Sequence, residues 1–394
     1  MTAHRTFAAV TFVLLVGCSG AATPAIEDDA VHGADASTAS AAPSASGTVA
    51  PTGPGDASVP ASTDAGGNAG HGDGGTSPPS PAFLPGTNLS GLEFNPGTVP
   101  GTANTDYGVP GHSDVDYFVG KKMPFLRLPF LWERMQRTLG GNLDPTYLAI
   151  VTDLVTYATG KGATVLLDVH NYARYDGAVI GSGDANAPTA AQFGDLWSRL
   201  ATLFKGNPGV VFGLMNEPNG MATELWLTDA NAAIAAIRQT GATNLITVPG
   251  NGYTGAHSWT TGGYGTPNGT VMLGVVDPAN HFIYEVHQYL DADSSGTHDT
   301  CNAAPAGSQS LAAFTAWAKT NHVRAMIGEF GAANNTTCLS DLADFLGSVD
   351  QNKDVWAGWT YWSAGPWWGS YMFSIEPSAS GADAPQMATL LDHL

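Results

Sequence analysis

The chain has 394 residues, 43% of them apolar, which is enough for one large domain with a sizeable core and a tail. Its 14 basic residues stand against 34 acidic ones, a formal net charge of -20 that excludes a nucleic-acid partner, because phosphates would be repelled. A neutral polymer is untouched by that balance.

Residues 1–18 have the form of an export signal, with Arg5 in a short leading region and an apolar stretch from Phe7 to Val16 that is too short to span a bilayer. The run Leu15-Val16-Gly17-Cys18 resembles the lipobox of bacterial lipoproteins. That resemblance implies a lipid-modified Cys18 at the start of the mature chain and a membrane partner through that anchor; an ordinary cleavable signal is the alternative. Residues 19–82 read as a disordered linker, rich in Ala, Ser, Thr, Gly, Pro and Asp, with no aromatic residue, Lys or Arg. Such a stretch cannot bury enough apolar surface to offset its ordering entropy.

Residues 83–394 alternate apolar strand-like runs with helical patterns. Strands are expected at Leu89–Asn95, Pro124–Phe130, Ala163–His170, Val210–Glu217, Leu245–Gly250, His281–Leu290, Ala325–Gly331 and Trp356–Ser363. Helices are expected at Pro145–Thr159, Ala190–Phe204, Leu225–Thr240, Gln309–Asn321 and Leu339–Asp350, with Asp144-Pro145 and Pro188-Thr189 as starts. This alternation predicts an α/β fold, a closed parallel (β/α)8 TIM barrel. An open doubly wound sheet is the runner-up, and the glycine-rich turn it would need after an early strand is missing. No later segment is a transmembrane candidate.

In such a barrel the chemistry sits at the C-terminal ends of the strands. Those ends offer Arg127-Leu128-Pro129, Asp168-Val169-His170-Asn171-Tyr172, Asn216-Glu217-Pro218, Glu285-Val286-His287-Gln288-Tyr289, Glu329 and Trp359-Thr360-Tyr361-Trp362. Glu217 and Glu329 each follow a buried apolar run, and two glutamates so placed fit acid/base and nucleophilic work on one bond. Strand alternation turns His287 and Tyr289 to the same face, and a buried Arg127 needs an anion beside it. Each signal has a plainer reading alone: a strand-end turn with a solvated Glu217, core histidines at His170 and His287, a structural ion pair at Arg127. Asp168, Glu285 and Glu133 read as structural, and Glu93, in the expected first strand, has no assigned role.

Ten tryptophans give flat faces that stack on sugar rings and equally fill cores. Trp367 and Trp368, bracketed by Gly365-Pro366 and Gly369, read as a loop at the barrel mouth with at least one ring on substrate; Trp132, Trp226 and Trp259 are weaker candidates. Cys301 and Cys338, in two loops flanking the seventh strand and the helix before it, are expected to form a disulfide in an exported protein, with two free thiols as the alternative and too few ligands for a metal site. Asn88, Asn268 and Asn335 match glycosylation sequons that a bacterial lipoprotein would leave bare.

Taken together, Arg127–Pro129, His170–Tyr172, Asn216–Pro218, His287–Asp291 and Trp362–Gly369 resemble, in order and spacing, the cellulase branch of glycoside hydrolase family 5 over residues 84 to 394. The resemblance implies an endo-β-1,4-glucanase with Glu217 as general acid/base and Glu329 as nucleophile. It further implies that Arg127 and Tyr289 touch Glu329, that Asn216 meets the sugar 2-hydroxyl and that His287 lies beside Glu217. His170 and Asn171 would support the subsite, with Trp362 as its floor. A retaining double displacement of this kind needs carboxyl groups about 5–5.5 Å apart and neither metal nor organic cofactor. The expected partner is a β-glucan polysaccharide, with no obligate protein partner and an exported location, lipid-anchored in the cell envelope or secreted. β-Mannan or mixed-linkage glucan on the same machinery, or glycan binding without turnover, remain as alternatives.

Overall fold

The computed structural model describes residues 83–394. The export signal, the lipobox Cys18 and the linker 19–82 lie outside the described residues. Eight strands close into a barrel: Leu84–Leu89, Phe125–Phe130, Thr164–Val169, Val210–Gly213, Ile246–Pro249, Phe282–His287, Ala325–Glu329 and Trp356–Ala364. Every neighbouring pair is parallel, in the order one-eight-seven-six-five-four-three-two, so the open-sheet alternative is set aside. A small antiparallel ribbon, Arg174–Tyr175 with Ala178–Val179, follows strand three.

The period-2 alternation of the strands builds the interior in layers. Phe125, Leu166, Val211, Ile283, Met326 and Ala357 meet on the axis as an apolar plug. Two residues further along the same strands come Arg127, Asp168, Gly213, Glu285 and Gly328, with Thr247 from strand five. Apolar residues therefore close the bottom and polar ones occupy the mouth. The alternate residues, among them Leu126, Leu128, Val165, Leu167, Tyr284, Val286 and Ile327, face outward into the much larger core under the helices. Each such side chain, once fully buried, stabilises the fold by about 1.5–3 kcal/mol.

Helices Pro145–Gly160 and Ala190–Phe204 begin where the sequence places them. Asp144 accepts from the N–H groups of Thr146 and Tyr147 at 2.9 and 3.0 Å, with Pro145 in the first turn. Thr189 and Gln192 form a reciprocal capping box. Helices Thr223–Gln239, Ala306–Asn321 and Thr336–Gln351 begin two or three residues earlier than expected. Among the described residues no helix is long and apolar enough to cross a membrane.

Four expectations change, the first being that strand six stops at His287, three residues before the expected Leu290. Strand one is Leu84–Leu89, not Leu89–Asn95. Pro85-Gly86 looks like a turn in sequence, but Gly86 is needed inside the strand, since a Cβ there would fall 1.6 Å from the Phe125 carbonyl oxygen. Strand four ends at Gly213, four residues short of Glu217, because the Asn216 N–H turns back to the Val169 carbonyl at 2.8 Å. Cys338 lies in the first turn of helix Thr336–Gln351 rather than in a loop, although it does pair with Cys301, with Cα atoms 5.0 Å apart.

Candidate active site

Arg127 is fully buried in the middle of strand two and organises the mouth. Its Nη1 donates to Glu329 Oε1 at 2.7 Å and to Asn88 Oδ1 at 2.8 Å, and its Nη2 donates to Asn216 Oδ1 at 2.9 Å. Nη2 also lies 3.1 Å from Asp168 Oδ2, and Nε lies 3.0 Å from Glu285 Oε1, an ion pair off the hydrogen-bonding line. One guanidinium thus faces three buried carboxyl groups on strands three, six and seven, a geometry its planar fork suits and an ammonium would not. Asp168 and Glu285 are framework residues here, as their depth in the strands implies. Asp168 Oδ2 also meets His170 Nδ1 at 2.8 Å, and Glu285 Oε2 accepts from the Thr247 hydroxyl at 2.5 Å.

Glu329 ends strand seven and is 4% exposed. Its second oxygen accepts from the Tyr289 hydroxyl at 2.8 Å, and His287 Nδ1 lies 3.6 Å away. Burial opposes its charge, but the positive charges of His287, Arg127 and His170, with the Tyr289 hydroxyl, outweigh burial and hold the carboxyl below its ordinary value. Glu217 stands across from it with a left-handed backbone, φ +42, a costly conformation for a residue with a side chain. His287 Nδ1 meets Glu217 Oε1 at 2.7 Å. One oxygen from each glutamate and one His287 nitrogen lie within 4.8 Å of one another. His287 is buried, which disfavours its charge, but Glu329, Glu217 and Glu285 reverse that and push it up to about 10.

Gly328 permits this convergence. A Cβ at Gly328 would sit 2.3 Å from Glu285 Oε1 and 2.8 Å from His287 Nε2. Asn88, singled out in the sequence only as a sequon, is fully buried on strand one. It accepts from Arg127 and donates to the Gly328 carbonyl at 3.0 Å; its sequence signal is its place in a barrel strand that begins at Leu84 rather than Leu89. Asn268 is buried as well, and the Asn335 side chain caps helix Thr336–Gln351.

The aromatic wall forms beside this cluster. His170 stacks on Trp362 with centroids 5.5 Å apart and planes 15° apart, and both rings are 9% exposed. Trp362 meets Trp368 edge-on at 5.8 Å, and Trp368 in turn packs on Phe94 at 4.9 Å and on Tyr371 at 4.4 Å. Trp367 is 37% exposed. Trp132, Trp226 and Trp259 are fully buried between barrel and helices, so they are core and not subsite residues. Asn171 is occupied by the framework: its Oδ1 accepts from the Trp132 N–H at 2.7 Å and its Nδ2 donates to Glu133 at 2.6 Å. Asn216 is different, because its buried Nδ2 has no protein partner among the described residues. Glu93 lies past strand one in the loop, where its carboxyl accepts from Ser90 and from the Gly91 N–H. A second acidic group, Asp291 with Asp293 and His298, is a loop anchor: Asp291 accepts the N–H groups of Gly296, Thr297 and His298 at 3.1 to 3.2 Å.

Two carboxyl groups this close, one on a guanidinium and a phenol and the other on an imidazole, form the pair required for displacement at an acetal carbon. Sequence and fold comparisons agree with that chemistry. Endo-beta-1,4-glucanase B of Emericella nidulans is 37% identical over 306 residues, covering 77% of this chain and 89% of the relative. An endo-beta-1,4-glucanase from Xanthomonas axonopodis pv. citri, of known crystal structure, superimposes with a TM-score of 0.76 at 46% identity, covering 79% of this chain and 98% of that one. XacCel5A, solved in complex with cellopentaose, gives a TM-score of 0.77 at 45% identity over 80% of this chain and 100% of that one. The sequence profile of cellulase (glycosyl hydrolase family 5) matches residues 86–365, the span that carries every strand end described above, and the chain belongs to that family.

Proposed function

We propose that the protein is an endo-acting β-1,4-glucanase that cleaves cellulose and related β-glucans with retention of anomeric configuration. The observation that carries this reading is the approach of Glu217 and Glu329 oxygens within 4.8 Å. Retention calls for carboxyl groups about 5–5.5 Å apart, whereas inversion needs about 6.5–9.5 Å to admit a water between them.

Glu329, held ionised by Arg127 and Tyr289, attacks the anomeric carbon while the leaving oxygen takes a proton from Glu217. His287 Nδ1, 2.7 Å from Glu217 Oε1, keeps that carboxyl in line with the leaving oxygen. Once the first fragment departs, Glu217 serves as base for the water that releases the sugar from Glu329. Asn216 Nδ2 supports the sugar 2-hydroxyl, and Trp362, Trp367 and Trp368 supply stacking faces for successive rings. The relatives named endo-beta-1,4-glucanase and the cellopentaose complex of XacCel5A support glucan as the substrate. The export signal and Cys18 support an envelope-anchored or secreted location with the linker as spacer.

The test is hydrolysis of cello-oligosaccharides alongside mannan and mixed-linkage glucan, with the anomeric form of the first product followed by NMR. A β-anomer released fastest from cello-oligosaccharides is expected. An α-anomer excludes retention; faster release from mannan moves the substrate; binding with no new reducing ends leaves a glycan-binding protein.

A further inference from the structure

The segment after strand three is bent in a way that needs a clamp. Tyr172, Ala173 and Asp176 have left-handed backbones, with φ of +53, +60 and +48. Side chains make that conformation costly, so it persists at several neighbouring residues only where the surroundings impose it. The clamp is the short helix Trp132–Met135, which follows strand two. Glu133 is buried there; its Oε2 accepts from Asn171 Nδ2 at 2.6 Å and its Oε1 from the Asp176 N–H at 2.7 Å. Asn171 Oδ1 accepts in turn from the Trp132 N–H at 2.7 Å, and the Tyr175 hydroxyl donates to the Gln136 carbonyl at 2.9 Å. One carboxylate therefore holds both ends of the strained segment.

That segment carries Arg174 to the flank of Glu217. Arg174 Nη1 donates to the Tyr172 carbonyl at 2.6 Å. Its Nη2 lies 2.8 Å from the point a Cβ on Gly220 would occupy, so the guanidinium rests on the turn that follows Glu217. Tyr172 stands between it and His170, whose ring it meets edge-on at 5.5 Å. Both Tyr172 and Arg174 are half-buried. In the closed strand order, strand four, which leads to Glu217, stands opposite strand eight, which carries Trp362. The acid gives its proton to the departing oxygen, so the leaving sugar lies on the Glu217 side of the mouth and the attacked sugar toward Trp362. Arg174 borders the leaving side.

We propose that Glu133, paired with Asn171, is a positioning residue for the leaving sugar: it holds residues 172–176 in their strained form and so fixes the Arg174 guanidinium beside Glu217, where its N–H groups meet hydroxyls of the departing glucan end. This role rests on the reading of Glu217 as the acid for the leaving oxygen. Both partners of Glu133 are donors, so each of its oxygens must accept. A glutamine there turns its amide on one of two N–H groups and leaves a buried donor unpaired. Exchanging the two roles restores the set. With Glu133→Gln and Asn171→Asp together, the new amide donates to the new carboxylate, which still accepts from the Trp132 N–H, and the glutamine oxygen accepts from the Asp176 N–H. Glu133 commits both oxygens to Asn171 and Asp176, so its loss weakens capture of the leaving sugar and spares attack by Glu329 on a substrate whose leaving group is not a sugar.

The experiment compares, in the full chain and its variants, kcat/KM for cellopentaose with kcat/KM for dinitrophenyl β-cellobioside, whose leaving group needs neither a proton nor a sugar site. Glu133→Gln should lower the cellopentaose value about tenfold or more and the aryl value by less than about twofold. Asn171→Asp should show the same split, and the double variant should return to within about twofold of wild type. Amide hydrogen exchange over residues 171–179 should quicken in each single variant and slow again in the double one. Arg174→Ala should reproduce the cellopentaose loss and carries the test if the single variants fold poorly. Equal losses on both substrates, no rescue in the double variant, or wild-type cleavage of cellopentaose by Arg174→Ala overturns the positioning role. No cleavage of either substrate by wild type ends the functional reading instead; Glu133 is then judged on exchange alone, where an unchanged segment in Glu133→Gln overturns it.

Discussion

Arg127 Nη1 bridges Glu329 Oε1 and Asn88 Oδ1 at 2.7 and 2.8 Å, tying strand two to strands seven and one through a single buried nitrogen. The same guanidinium neutralises Asp168 and Glu285. Lysine offers one charge centre and no fork, so Arg127→Lys cannot hold all these partners in place. Glu329 is depressed in the native protein, so activity that needs its charge is lost as pH falls through its native value. Without the guanidinium Glu329 regains a proton at higher pH. Arg127→Lys should therefore lower kcat by about a hundredfold and move the acidic limb of kcat/KM upward. An acidic limb left in place would show that the limb reports another group.

Gly328 should resist every side chain. In Gly328→Ala the new methyl would strike Glu285 Oε1 and His287 Nε2, both fixed from several directions, so the imidazole must leave its line to Glu217. The expected result is a kcat lowered about a hundredfold or more, with unfolding by denaturant only modestly easier. Near-normal turnover would mean that the His287–Glu217 contact does not matter to the chemistry.

Asp229 carries a destabilising element far from the polar layer. It is fully buried in helix Thr223–Gln239 against Gly181, and neither carboxyl oxygen has a hydrogen-bond partner among the described residues. Burial pushes the acid up to about 7. Its raised value means that the native state keeps its advantage below the ordinary carboxylate range and loses it as pH climbs through about 7. Asp229→Asn should then be more stable than wild type by about 1–2 kcal/mol at pH 8 and equal or weaker at pH 4. Urea unfolding at the two pH values checks this, and a gain at pH 4 alone contradicts it.

The Cys301–Cys338 bridge closes a loop of 37 residues that spans helix Ala306–Asn321 and strand seven with Glu329. Replacing both by serine should cost about 2–4 kcal/mol of stability, chiefly by freeing the unfolded chain, and leave kcat at 25 °C nearly unchanged. A large fall in kcat with little loss of stability would instead place the bridge in the alignment of Glu329.

The chain's periodicities determine the barrel. Buried runs such as Val210-Val211-Phe212 alternate with helices whose starts are written in Asp144-Pro145 and Thr189, and these are local signals that survive without tertiary context. Glu217, Glu329, Arg127, His287 and Tyr289 are legible because each lies in or just after an apolar strand run that sequence alone can mark, although strand four ends at Gly213 and strand six at His287. What the tertiary structure decided concerns partners distant in the chain. Asn88 became a ligand of Arg127, Asn171 turned to the framework, and three tryptophans went to the core because burial depends on which helix covers which strand. Strand one begins earlier than local sequence suggests because Gly86 fits its position only through a neighbour 39 residues away, the Phe125 carbonyl. Local hydrogen-bonding and apolar period are properties of a segment, whereas close approach, charge pairing and exposure belong to surfaces that exist only after the barrel has closed.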